Sequence, residues 1–404
     1  MSDPNYFARP KLADYFAQDL FDGTFGPNSG LFLAAPRRTG KSTFVRKDLV
    51  PALAKMNAEV IYVDLWADKN TDPAVLISDA IRTELRKVDG AIFKVAQKIG
   101  LTKFSVGAMG SGLNFDLSQV GFSKDMTLAG VLSLLSKENG RPIVLVIDEA
   151  QHALTSTDGA NAMFALKAAR DELNLQGLGL YLVATGSNRN KLAMMVHGRE
   201  QAFFGATLVD FPKLSKDYLK WLFDKAGVSL DVERGYEIFV KAGSRPEIVN
   251  SALRRFKFEL MDGIKAPDAR FAELVKDNLF EAKSTFFSTV AHLPTLQNVL
   301  LRELAIDSRQ PVAADKAGVY SAKMIKRLQD RILEDTQSKE EAGKVDPSAI
   351  QNALEALREK SFLWKAQRGA YWIEDEQFSD WLTEKSEAAE QEAGADEQLR
   401  GPQG

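Results

Sequence analysis

Residues 31–44 read LFLAAPRRTGKSTF: an apolar strand, a tight loop, then Gly40-Lys41-Ser42 opening a helix. No other stretch constrains the chain as much, because strand, loop and helix in that order build a phosphate-binding loop. Backbone N–H groups of the loop and first helical turn converge on the phosphates of a nucleotide. Lys41 adds a point charge and the Ser42 hydroxyl a Mg²⁺ ligand. Gly40 is required by close approach of the backbone to phosphate and by a positive φ. The phosphate-binding segment spans Ala35, Pro36, Arg37, Arg38, Thr39, Gly40, Lys41, Ser42 and Thr43, with Ala35 standing where such loops usually carry a first glycine. That exchange of one small residue for another leaves the mechanism intact.

A chance Gly-Lys-Ser beside a core strand is the competing explanation, and a second motif argues against it. Residues 142–147, PIVLVI, carry no charge and run into Asp148-Glu149-Ala150-Gln151. This pattern describes a strand buried on both faces whose C-terminal end emerges at a ligand site. Asp148 is suited to hold Mg²⁺ through water. Glu149, pointing elsewhere by strand alternation, is suited to polarise an attacking water, so phosphoanhydride hydrolysis of ATP is the expected chemistry. A third strand, from Gly179, ends in Thr185-Gly186-Ser187-Asn188. In hydrolases of this type the strand beside the acidic one supplies a polar group that senses the γ-phosphate, which makes Thr185, Ser187 and Asn188 candidates.

Composition narrows the chemistry further. The 404-residue chain has no Cys and only three scattered His, which excludes disulfides and thiolate metal sites and disfavours a zinc site. No apolar run approaches the ~18 residues needed to cross a bilayer, and MSDPNYFARP is no secretory leader, so a cytoplasmic enzyme without membrane partners is expected. A net charge of −3 gives no global sign of nucleic-acid binding.

Strands and helices alternate along the first half. Residues 5–26 place aromatic and charged positions at helical spacing, a lead-in suited to covering the adenine. Residues 60–64 give a second strand, 73–87 an amphipathic helix, and 103–117 a β-hairpin insertion around Gly110-Ser111-Gly112. The predicted fold is α/β, a parallel doubly wound sheet with its site at the strand C-termini, over residues 1–212. A helical lid is expected over 213–282, where Gly243-Ser244-Arg245-Pro246 forms a turn between helices and places Arg245 either toward the γ-phosphate or simply in solvent. Residues 283–384 read as a winged helix: helices at 284–305, 315–333 and 349–360, the last begun by Asp346-Pro347, then a two-stranded wing. DNA contact would put the helix 349–360 in a major groove with Lys365 and Arg368 on phosphates, supported by the basic stripe Lys323, Lys326, Arg327 and Arg331 one helix earlier; docking of a protein partner is the alternative. Residues 385–404, rich in Glu, Ala and Gln, are expected to be a disordered acidic tail.

Together these motifs resemble the archaeal-type ATPases of the AAA+ class of P-loop NTPases, relatives of the origin-recognition initiators and of the signal-transduction (STAND) ATPases. The resemblance is carried by residues 36–42, Val63-Asp64-Leu65, Ile147-Asp148-Glu149-Ala150-Gln151, Ala184-Thr185-Gly186-Ser187, and Phe204-Gly205 ahead of residues 211–214. It implies an ATP-dependent homo-oligomer and a DNA-associated ATPase, in a mobile-element or defence setting, or else a STAND-like regulatory switch. Gly205-Ala206 stands where the family often has Gly-Arg, so Arg189 or Arg199 would have to serve as an arginine finger. The lid motif is Gly-Ser-Arg-Pro rather than Gly-Gly-x-Pro, which leans toward the initiator branch.

Overall fold

The computed structural model describes residues 6–22, 30–87, 127–187, 189–198, 201–261, 263–308, 318–365, 371–375 and 378–383. The expected hairpin at 103–117 and the acidic tail at 385–404 lie outside them. The chain divides into two compact units, Met1–Lys213 and Leu214–Gly404.

The first unit is built on five strands: β1 (Leu31–Ala34), β2 (Glu59–Asp64), β3 (Ile143–Asp148), β4 (Leu180–Gly186) and β5 (Thr207–Asp210). They pair in the order β2-β3-β4-β1-β5, every pair parallel. This is the parallel α/β sheet of a P-loop fold. The short edge strand β5, half-exposed and only four residues long, was not legible as a strand in sequence.

Period-two alternation assigns each strand residue to a face. Phe32, Ala34, Ile143, Leu145, Ile147, Leu182 and Ala184 point into one core with the helices Pro73–Leu85, Leu128–Asn139 and Thr157–Leu175. Leu31, Leu33, Val144, Val146 and Val183 point into the other, covered by the helix Pro10–Phe21 and by the helix that follows the phosphate loop. That second helix runs Lys41–Phe44, widens to a π turn over Val45–Leu49, and continues as Val50–Lys55. Pro51 accounts for the widening, since its ring would meet the carbonyl four residues back in a regular α-helix. Within the π turn, buried Asp48 accepts bonds from the Tyr6 hydroxyl and, at 3.0 Å, from the Arg9 backbone N–H, which ties the N-terminal segment to the phosphate helix.

In the second unit, Lys216–Ala226, Val232–Lys241 and Pro246–Leu260 pack through Phe223, Phe239 and Phe256. Phe271, at the start of the 25-residue helix Pro267–Ala291, lies edge-on to Phe223 and Phe256. The far end of that helix puts Phe286 and Val290 into another core, shared with Thr295–Ser308, Ala322–Thr336, Pro347–Glu359 and the antiparallel pair β6 (Leu363–Lys365) and β7 (Tyr371–Ile373). A boundary at 282/283 would therefore cut one continuous helix. The expected helix at 284–305 is instead two, because Pro294 denies the donor and the space a continuous helix needs. Asp346 does cap the last helix, accepting the Ala349 N–H at 2.7 Å with Pro347 in the first turn.

Candidate nucleotide site

Strand parity builds the site. Asp148 follows Val144 and Val146 and so faces the phosphate-loop helix; Thr185, two residues past Val183 on the neighbouring strand, faces the same way. The Thr185 hydroxyl donates to Asp148 Oδ1, and Tyr62, on the same face of β2, donates to Oδ2 at 3.0 Å. Asp148 is only 1% exposed, with both carboxylate oxygens engaged. Tyr62 carries Arg46 over its ring at 4.7 Å, and Arg46 pairs with Asp64 at 3.1 Å. Burial raises the Asp64 carboxyl, and the charge of Asp148 adds to the rise.

The loop itself is bent as its chemistry demands. Gly40 caps the helix in the left-handed region at φ 85°, and Phe44 N–H returns to its carbonyl at 2.9 Å. A Cβ at Gly40 would meet nothing within 4 Å, so conformation rather than crowding calls for glycine there. Arg38 is also left-handed, at φ 64°, and the Thr39 hydroxyl closes the turn onto Pro36 O at 2.8 Å. Buried Ala35 donates its N–H to Gly186 O at 3.1 Å, binding the loop's start to the end of β4. Ser42 and exposed Thr43 fill the first helical turn. Arg37 lies over the Trp66 ring at 4.6 Å, and Trp66 packs against His152 at 4.3 Å between centroids. Burial, with Lys191, Arg37 and Lys69 nearby, holds His152 down to about 3 despite Glu149, so its imidazole is neutral at ordinary pH.

Lys41, 5% exposed, reaches from this loop to both acids: Nζ lies 3.0 Å from Glu149 Oε1 and 3.8 Å from Asp148 Oδ1. Simple alternation would have turned Glu149 away. Instead its backbone enters the left-handed region, φ 53° and ψ 43°, and brings the carboxylate back beside Asp148. Glu149 Oε2 accepts from Gln151 Nε2 at 2.6 Å and from the Ser187 backbone N–H at 3.2 Å. Burial opposes its ionisation, but the Lys41 charge and these bonds prevail and hold the carboxyl at about 2.

Of the sensor candidates, Thr185 touches the Asp148 carboxylate and Ser187 touches Glu149 through its backbone; Asn188 lies outside the described residues. Arg245 belongs to the second unit, where Nε bonds Glu247 Oε1 at 2.5 Å and the guanidinium lies 5.9 Å over Trp381. Arg189 pairs with Asp210, and Arg199 is outside the described residues. Tyr62, Arg46 and Gln151 were not anticipated as site residues. Parity along β2 was the available signal for Tyr62, and the quoted Asp-Glu-Ala-Gln motif for Gln151.

Among the described residues no helix is long and apolar enough to cross a membrane. Gly40 in its left-handed bend, a buried lysine and two adjacent carboxylates at the C-terminal edge of a parallel sheet are the parts of a phosphate-binding loop on a P-loop α/β fold. These residues fit a Mg²⁺-nucleotide: Lys41 is drawn to negative charge, and Asp148 is a hard oxygen donor fixed by two hydroxyls.

No family model matches the chain, and no curated protein matches it. Among solved structures it is similar to the Walker-type ATPase paby2304 of Pyrococcus abyssi, at 18% identity over 93% of this chain and 96% of that one, TM-score 0.47. It is also similar to the Aeropyrum pernix ORC1 protein in complex with DNA, at 15% identity over 96% and 95% of the two chains, TM-score 0.42. The Aeropyrum pernix ORC2 protein in its ADPNP-ADP complexes gives 13% identity over 95% and 97%, TM-score 0.42. The fold assignment itself rests on strand order and loop geometry.

Proposed function

We propose that the chain binds ATP with Mg²⁺ at the phosphate loop and hydrolyses it, and that nucleotide state is coupled to a partner held by the C-terminal helices and hairpin, read as a winged helix. The observation that carries the first part is buried Lys41 between Asp148 and Glu149. Lys41 exchanges its carboxylate partners for phosphate oxygens. Ser42 directly and Asp148 through water would hold Mg²⁺, which would offset charge on the phosphates. Glu149, released from Lys41, accepts a proton from the attacking water. Thr185, Ser187 and Asn188 are the candidates for sensing the γ-phosphate, Arg245 for reaching it from the lid, and Arg189 or Arg199 for acting in trans between subunits. Equilibrium binding tests the grip: wild type should bind ATP with Mg²⁺, and Lys41→Ala should lose it. Equal affinity in the two would remove the loop from the function.

For the partner, DNA is the first reading and a docked protein the second, and the ion pairs of the C-terminal unit support the second. Arg327 does not extend the exposed basic stripe. Its guanidinium pairs with Glu303 and, at 2.9 Å, with Asp307; Arg331 also reaches Glu303, at 3.3 Å. Lys365 sits 3.5 Å from Glu355 and over the Tyr371 ring. Lys323 and Lys326 remain exposed for phosphate contact, while Arg368 lies outside the described residues. DNA affinity that falls steeply with salt supports the first reading; no affinity at low salt leaves the second.

A further inference from the structure

Gln151 is wholly buried, at 0% exposure, in the 3₁₀ turn Ala150–Thr155 directly after the two acids. Its Nε2 donates to Glu149 Oε2 at 2.6 Å and reaches Ser187 Oγ at 3.4 Å. Its Oε1 has no hydrogen-bond partner among the described residues. Burying an amide with its carbonyl unbonded is unfavourable, so the favourable contacts of this side chain are concentrated in Nε2 and the carboxylate it meets. The unbonded oxygen lies against Gly186. A Cβ there would stand 2.7 Å from Gln151 Oε1 and 3.1 Å from the Leu192 side chain. Gly186 is not left-handed, so glycine is needed at the end of β4 for room and not for backbone freedom.

We propose that Gln151 is the positioning residue of the Glu149 carboxylate, and that Gly186 supplies the space that lets it reach. This rests on the hydrolysis reading above. Gln151 acts through Glu149: it fixes one carboxylate oxygen so that the other stays free for proton transfer once Lys41 turns to phosphate. The Glu149 backbone is left-handed, and without that bond Oε2 keeps only the longer contact with the Ser187 N–H. Two variants approach the contact from opposite sides: Gln151→Met keeps the volume but lacks the donor, and Gly186→Ala pushes the amide away.

Full-length protein is assayed for ATP affinity by equilibrium binding and for steady-state turnover. Both variants should keep Kd and KM within about twofold of wild type while kcat falls at least about tenfold, as expected when a catalytic group loses its support. Wild-type kcat in Gln151→Met, or a fall in kcat matched by an equal loss of ATP affinity, overturns the proposal. If Glu149→Gln is inactive while Gln151→Met is normal, only the role of Gln151 is lost; if Glu149→Gln hydrolyses like wild type, the hydrolysis reading fails and this one with it.

Discussion

Asp148 holds its geometry through two hydroxyls that come from different strands, Tyr62 at 3.0 Å and Thr185. Such contacts orient a carboxylate for a hard cation, and removing one typically costs about 10- to 100-fold in metal affinity or activity. Tyr62→Phe and Thr185→Ala should each raise the Mg²⁺ concentration for half-maximal ATPase at least about tenfold, measured by titration at saturating ATP. An unchanged Mg²⁺ midpoint in both would separate Asp148 from the metal. Asp148, Glu149, Lys41 and Thr185 were readable in sequence because each ends a strand or opens a helix, where local pattern alone predicts placement. Tyr62 was hidden, since an aromatic inside a strand looks like core until the neighbouring strand's register is known. The return of Glu149 toward Lys41 was hidden too: a non-glycine residue in the left-handed region is uncommon, and alternation predicts the opposite direction.

At the scale of elements, periodicity and caps carried the reading of strands and helices, while charge pattern misled. Lys323, Lys326, Arg327 and Arg331 form a stripe on paper, yet two of the four turn inward to one carboxylate. Glu303, with its side chain 4% exposed, sits between Arg327 and Arg331, on the neighbouring helix Thr295–Ser308. Glu303→Leu removes the buried acceptor shared by the two guanidinium groups, leaving Arg327 to Asp307 and Arg331 to Glu334. It should destabilise the C-terminal core by about 2 kcal/mol in thermal or urea unfolding, below the full cost of a dry ion pair because the arginines are partly solvated. A loss under about 0.5 kcal/mol would mean the pairs hold nothing together. By contrast, Lys323→Glu with Lys326→Glu should leave unfolding unchanged and, if DNA is the partner, flatten the salt dependence of binding by about two units. A DNA-binding wild type whose salt slope is unaffected by that pair would place the contact elsewhere. Apolar periodicity continues on both sides of Pro294, so spacing alone predicts one helix over 284–305 where the chain forms two.

At the scale of the molecule, an ATPase that borrows an arginine from its neighbour must assemble around nucleotide. Arg189, now paired with Asp210, lies after β4 where such a contact is proposed. Glu149→Gln with ATP and Mg²⁺ should sediment faster than the same protein without nucleotide. A single monomeric boundary at micromolar concentration in both conditions would exclude assembly as part of the cycle. The central claim concerns the division of labour between the buried lysine and the left-handed glutamate. Its most direct test is a single turnover with γ-labelled ATP and Mg²⁺, reading bound nucleotide and released phosphate together. Glu149→Gln should bind ATP as wild type does and retain it uncleaved, with phosphate release at least about a hundredfold slower. Phosphate release at the wild-type rate from Glu149→Gln would contradict the account.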